Sequence, residues 1–132
     1  MDPEILAHYT DRYDESARLN SDPFNRVELL RTQEILLRHL PDPPAVVLDV
    51  GGGPGVYASW LTGLGYEVHL VDVVDRHVGE ASAQMPAPAT AQLGDARALD
   101  FGDGAADAIL LLGPLYHLPE KTDRLLALGE AR

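Results

Sequence analysis

The sequence predicts an α/β domain built on a parallel, doubly wound sheet. Short β-branched runs alternate with helical patterns, and the alternation recurs about every 20–25 residues, as βα units do. The first such run leads straight into a glycine-rich turn, Gly51-Gly52-Gly53-Pro54-Gly55, where open sheets of this kind bind ligands. With 132 residues, 45% of them apolar, the chain suits one small domain with a packed core.

Residues 1–22 are polar and mixed in sign, with Ile5, Leu6, Tyr9, Tyr13 and Leu19 as anchors for a short docking helix. Asp22 is an N-cap candidate, with Pro23 at the first helical position. Val27, Leu30, Leu37 and Leu40 then recur at spacings that place them on one helix face. Pro41-Asp42-Pro43-Pro44 stops that helix and forms a stiff linker. The organisation predicted is an N-terminal helical arm over 1–44 and a ligand-binding domain over 45–132.

The first strand is Ala45 to Val50, and the helix after its glycine turn spans Val56 to Thr62. Gly63 and Gly65 end that helix, and Glu67 to Val71 is a second strand closing on Asp72. A helix follows from Asp75 to Met85, stopped by Pro86 and Pro88. Thr90 to Leu93 forms a third strand, followed by Gly94-Asp95 and an Asp103-Gly104 turn. Ala108 to Leu112 is a fourth strand, broken by Gly113-Pro114. A last helix opens at Pro119, with Leu125 and Leu128 on one face.

Charge and composition narrow the function. Twenty-one acidic residues against 10 basic ones give a net charge of −11, which disfavours nucleic acid as a partner. The absence of cysteine rules out a disulfide scaffold, a thiolate nucleophile and a Cys-ligated metal. The opening Met1-Asp2-Pro3-Glu4 has no apolar stretch behind it, and no run is long enough to span a bilayer. A soluble, cytoplasmic protein without a membrane partner is expected.

Four glycines in five residues exceed what a tight turn needs, so the loop reads as a place where a ligand touches backbone. A nucleoside triphosphate is disfavoured, because no Gly-Lys-Ser/Thr ending is present. The dinucleotide fingerprint fits only if forced onto Gly53, Gly55 and Ala58, two residues late; counted from Gly51, its sixth position is Val56. Asp49, just upstream, would repel a pyrophosphate and welcome a cationic ammonium or sulfonium group. As a buried strand-end carboxylate it needs a partner, either loop N–H groups or the ligand itself.

The run Val47-Leu48-Asp49-Val50-Gly51-Gly52-Gly53-Pro54-Gly55 resembles the first motif of class I S-adenosylmethionine-dependent methyltransferases. Asp72 sits where that family places its ribose-holding acid, and Gly94-Asp95-Ala96 resembles its adenine-contacting segment. Leu111 to Leu118 resembles the segment near the transferring methyl. The likeness runs from about Ala45 to the C-terminus, departing at Gly52-Gly53-Pro54, where the family often has Cys or Ser and then Thr.

The resemblance implies a Rossmann-like fold and S-adenosylmethionine as cofactor. It places Asp49, Gly51, Gly52, Gly53, Gly55, Asp72, Val73, Asp95, Ala96, Leu112 and Gly113 around that cofactor. Chemistry supports Asp72 independently, since a carboxylate at a strand tip accepts hydrogen bonds from a ribose diol. Val73 would cover one adenine face, Asp95 would meet the adenine amino group, and Ala96 would offer its backbone N–H. Tyr9, Tyr13 and Arg18 would close over the cofactor from the N-terminal arm, and Arg12 or Arg18 would pair with its methionine carboxylate. Tyr116 and His117 are the catalytic candidates, His117 as a general base where the acceptor needs one. His69 and His77 read as structural residues, and Trp60 as core.

The fold it resembles has seven strands, whereas this chain supplies four, in the expected order 3-2-1-4. The fourth would be an open edge: either the chain is the cofactor-binding fragment of a longer domain, truncated before the fifth strand, or a second copy covers that edge as a homodimer. The function implied is methyl transfer to a small-molecule acceptor. Two alternatives stay open: an NAD-dependent oxidoreductase half-domain, and an inactive cofactor-binding or interaction module.

Overall fold

A computed structural model of the chain describes Pro3 and residues 23–132. Tyr13 and Arg18, like Tyr9 and Arg12, lie outside the described residues. In chain order the elements are helix α1 (Pro23–His39), strand β1 (Val46–Val50), α2 (Val56–Gly63), β2 (Glu67–Asp72) and α3 (Asp75–Ser82). They continue with β3 (Thr90–Leu93), β4 (Ala108–Leu110), a 3₁₀ turn (Pro114–His117) and α4 (Lys121–Ala131). The four strands form one sheet in the order β3-β2-β1-β4, with every neighbouring pair parallel. Fold class and strand order therefore agree with the sequence expectation.

The central strands are apolar because helices cover both faces of a parallel sheet. Alternation along β1 divides its side chains between two cores. Val47 joins Leu36, Ala58, Leu61, Val68, Leu70 and Ala81 on one side. Leu48 and Val50 join Ala96, Leu118 and Ala127 on the other. Each fully buried Leu or Val in these clusters contributes about 1.5–3 kcal/mol through its removal from water. Asp49 shares the face of Val47, so a carboxylate is built into an apolar layer.

Four local expectations need correction. Helix α1 buries Leu29 and Leu36, with Leu40 partly covered just beyond its end, whereas Val27, Leu30 and Leu37 are exposed. Leu30 and Leu37 sit one residue, hence about 100°, round from the buried stripe. With leucines on both stripes, spacing alone does not select the inner one. Strand β4 ends at Leu110, because its register with β1 ends where Leu110 meets Asp49. Leu112 is thus outside the sheet and exposed. Helix α3 ends at Ser82 rather than Met85. The last helix starts at Lys121, two residues after Pro119, and its inner contact is Ala127 rather than Leu125 or Leu128. A small residue there lets α4 come close to Leu48, Val50 and Ala96.

Trp60 is only partly core. It packs against the Val47 cluster and also lines a cleft of about 680 Å³ with Gln33, Val56, Gln84 and Met85.

Candidate functional site

The carboxyl ends of the strands bring the four sequence landmarks together. After β1 the chain reverses direction, and the amides of Gly51 and Gly52 both donate to the Val71 carbonyl of β2, at 2.7 and 3.3 Å. Gly53 N–H donates to Asp72 Oδ2 at 2.8 Å, tying the glycine loop to the tip of β2. The Asp72 carbonyl accepts Gly94 N–H at 3.0 Å, which draws in the loop after β3. On the other flank, a Cβ added at Gly51 would lie 2.6 Å from Pro114 Cγ, so the segment after β4 presses directly on the loop.

Two glycines are required, Gly55 by space and backbone angle and Gly52 by space alone. Gly55 ends the loop at φ +89°, a left-handed value, and precedes the first turn of α2. A Cβ there would stand 2.9 Å from Ala81 Cβ on α3. Gly52 lies over the buried carboxylate: its Cβ would fall 2.7 Å from Asp49 Oδ2 and 2.6 Å from Leu70 Cδ1.

Asp49 is 2% exposed, and its Oδ2 has no hydrogen-bond partner. The loop N–H partners expected from sequence are engaged elsewhere, at Val71 and Asp72. Burial pushes the Asp49 carboxyl up to about 7, with the negative charge of Asp72 raising it further. An unsatisfied buried oxygen of this kind normally has a partner that the chain does not itself supply.

Asp72, 7% exposed, has the opposite surroundings. Its Oδ1 accepts Val74 N–H at 2.9 Å and lies 3.3 Å from His77 Nδ1, while Oδ2 holds Gly53. A carboxylate has about four acceptor positions, so one remains for a ligand hydroxyl, on Oδ2. The alternative role of Asp72 as an α3 cap does not apply: Val74 occupies the cap position.

The remaining landmarks border this centre. Val73 is half-buried at the β2 tip, and Ala96 is packed in the second core. Asp95 is held by Arg97, whose Nε and Nη2 reach its two oxygens at 2.9 and 2.6 Å. That clamp holds the Asp95 carboxyl down at about 2. Arg97 Nη1 is also 3.3 Å from Asp123 on α4, so the loop after β3 is fixed to the last helix. Gly113 begins the 3₁₀ turn in which Tyr116 is 88% exposed and meets the half-buried His117 edge-on at 5.2 Å. Tyr116 therefore does not pack beneath α4, as a purely structural role would require.

Three features of this site were not singled out from sequence: Pro114, Arg97 and the contact of His77 with Asp72. The Asp95-Ala96-Arg97 spacing is a readable signal for a local carboxylate–guanidinium pair. The other two depend on how elements dock. Among the described residues no group of three or more His, Asp or Glu is placed to hold a metal ion. No helix there is long and apolar enough to cross a membrane.

A glycine cradle on two buried carboxylates, at the carboxyl ends of a 3-2-1-4 parallel sheet, defines a Rossmann-like ligand-binding domain. The family model described as a methyltransferase domain matches residues 47–131, and the chain belongs to that family. Among solved structures, the PH0226 protein of Pyrococcus horikoshii OT3 is 25% identical with a TM-score of 0.69, covering 96% of this chain and 57% of its own. The magnesium protoporphyrin IX methyltransferase of Synechocystis PCC 6803, solved with bound SAM, shares the fold at 18% identity. Its TM-score is 0.74, over 99% of this chain and 71% of that one. A SAM-dependent methyltransferase of Methanosarcina mazei shares it at 21% identity and a TM-score of 0.61, over 73% of this chain and 49% of that one. The chain thus spans little more than half the length of the Pyrococcus protein. No curated protein matches the sequence.

Proposed function

We propose that the chain binds S-adenosylmethionine across the glycine loop and serves methyl transfer to a small-molecule acceptor. The observation that carries this reading is the unpartnered Oδ2 of Asp49, buried beside the glycine cradle, with a second carboxylate at the β2 tip. Two acids at a backbone-lined turn suit a ligand bearing a cation and a ribose, and Asp49, next to the glycines, opposes the pyrophosphate of NAD. The family membership and the fold shared with a SAM-bound methyltransferase point the same way.

In this reading Asp72 accepts a ribose hydroxyl, and Asp49 faces the positive charge of the amino acid end, directly or through water. Gly51, Gly52, Gly53 and Gly55 keep the cradle free of side chains. Val73 and Ala96 flank the adenine, and Asp95, oriented by Arg97, meets its amino group. Leu112 and Gly113 border the methyl. When bound, the cofactor supplies a methyl group on a good sulfonium leaving group, so alignment rather than acid–base chemistry dominates. His117 takes a proton only where the acceptor presents a hydroxyl or protonated amine, with Tyr116 beside it.

The open edge of β4 carries a second proposal, that two copies pair there as a homodimer. Leu112, just beyond β4, and Leu125, Leu126 and Leu128 on α4 are exposed, consistent with a surface that a partner covers.

Methyl-labelled S-adenosylmethionine retained on the protein tests the main reading. Displacement by excess S-adenosylhomocysteine, and not by excess NAD, is expected. Absence of retention, or displacement by NAD alone, overturns it.

A further inference from the structure

His77 reads from sequence as a structural histidine on a helix. The structure gives it a specific neighbour. Helix α3 follows β2 after only two residues, and its inner face carries His77 and Ala81. Ala81 packs against the glycine loop, with its Cβ 2.9 Å from where a Cβ on Gly55 would be. That contact fixes the height of α3 on the sheet and brings His77, 3% exposed, to 3.3 Å from Asp72 Oδ1. A carboxylate only accepts hydrogen bonds, so Nδ1 carries the hydrogen and donates.

We propose that His77 is a positioning residue for ribose recognition: it holds Oδ1 of Asp72 from α3 and leaves the open acceptor position on Oδ2 for the ligand hydroxyl. The inference rests on the S-adenosylmethionine reading and deepens it. Three donors hold this carboxylate, namely the amides of Gly53 and Val74 and the His77 ring. The two amides come from the glycine loop and from the residue that caps α3. His77 alone comes from a packed helical face. Without it Oδ1 loses one of its two donors, and the terminal torsion, which is broad and nearly two-fold, is held by the two amides alone. A turned carboxylate meets the ribose less well, while the adenine and amino acid contacts are untouched.

The test is a binding cycle with two ligands, S-adenosylhomocysteine and its 2′,3′-dideoxy analogue, measured on the full chain and its His77→Leu and His77→Asn variants. The intact protein prefers the diol-bearing ligand at least about tenfold, of the order that one lost charge-assisted hydrogen bond brings. His77→Leu narrows the preference to about threefold or less by weakening the diol ligand alone. His77→Asn, which retains a donor near Nδ1, restores most of it. Thermal melts followed by circular dichroism establish that both variants are folded; if His77→Leu is not, His77→Gln, whose amide stands at the Nε2 rather than the Nδ1 position, takes its place with the same narrowing expected. Equal weakening of both ligands, or an unchanged preference in His77→Leu, overturns the positioning role. Failure of the intact protein to bind S-adenosylhomocysteine overturns the cofactor reading itself.

Discussion

The Gly53 N–H donates to Asp72 Oδ2 at 2.8 Å, so the glycine loop after β1 is held by the acid that ends β2. One side chain thereby shapes the cradle and offers itself to the ligand. The two roles are separable. Asp72→Ala strands the Gly53 and Val74 amides and costs about 1–3 kcal/mol of stability for each group left buried and unsatisfied. Asp72→Asn keeps one oxygen as an acceptor and costs less. Both variants lower affinity for S-adenosylhomocysteine, by about tenfold or more for the loss of a charge-assisted bond. Denaturant melts alongside calorimetry separate the two effects.

Gly52→Ala drives a methyl group into Asp49 and Leu70. Overpacking of this kind costs about 1–3 kcal/mol, read as a lower midpoint in urea. It also displaces the Asp49 carboxylate, so ligand affinity falls even at temperatures where the variant is fully folded. Gly79→Ala is the control, because a Cβ at Gly79 meets nothing within 4 Å. That variant keeps its affinity.

Asp49 gives the protein a pH dependence with a definite sign. Its carboxyl is raised from 3.8 to about 7 in the folded chain, so between those values the folded state holds a proton that the unfolded state has lost. Stability therefore falls as pH rises from about 4 to about 7, with a slope on the order of 1.4 kcal/mol per pH unit. Asp49→Asn abolishes that fall, which urea melts at pH 5 and pH 8 would reveal as a flattened profile. A bound cation reverses the preference for the proton, so S-adenosylmethionine binding below about pH 7 releases protons. Calorimetry in two buffers of different ionisation enthalpy measures the release.

Arg97→Met removes the clamp on Asp95 and the link to Asp123. The pair is partly exposed, so the cost is about 1 kcal/mol or less. Its contribution through Asp95 is present above about pH 4 and disappears as pH falls through about 2, where the clamped carboxyl titrates. Comparing melts of Arg97→Met and the intact chain at pH 7 and pH 2 checks this.

Pairing of two copies through β4 predicts a mass that rises with concentration in light scattering. A monomer at every concentration sinks that proposal and leaves the cofactor site standing.

The sheet was legible because its signals are local. β-branched runs, glycines and prolines punctuate β1, β2 and β3 where the strands begin and end. The inner faces of α1 and α4 were not legible, because leucines occupy more than one stripe and docking chooses between them: Leu36 rather than Leu37, Ala127 rather than Leu128. The same division holds at the site. Asp49, Asp72 and the glycines are marked by their position after strands. His77 acquires its contact only because Ala81 seats α3 on Gly55, and the isolation of Asp49 arises because neighbouring amides choose Val71 and Asp72.

The central claim is that this cradle takes an adenosyl sulfonium ligand rather than a dinucleotide. Calorimetric titration of the intact chain with S-adenosylmethionine, S-adenosylhomocysteine and NAD tests it most directly. The account predicts one saturable site for each adenosyl ligand, weakened in Asp72→Asn, and no heat of binding with NAD. Saturable NAD binding without a response to either adenosyl ligand would contradict it.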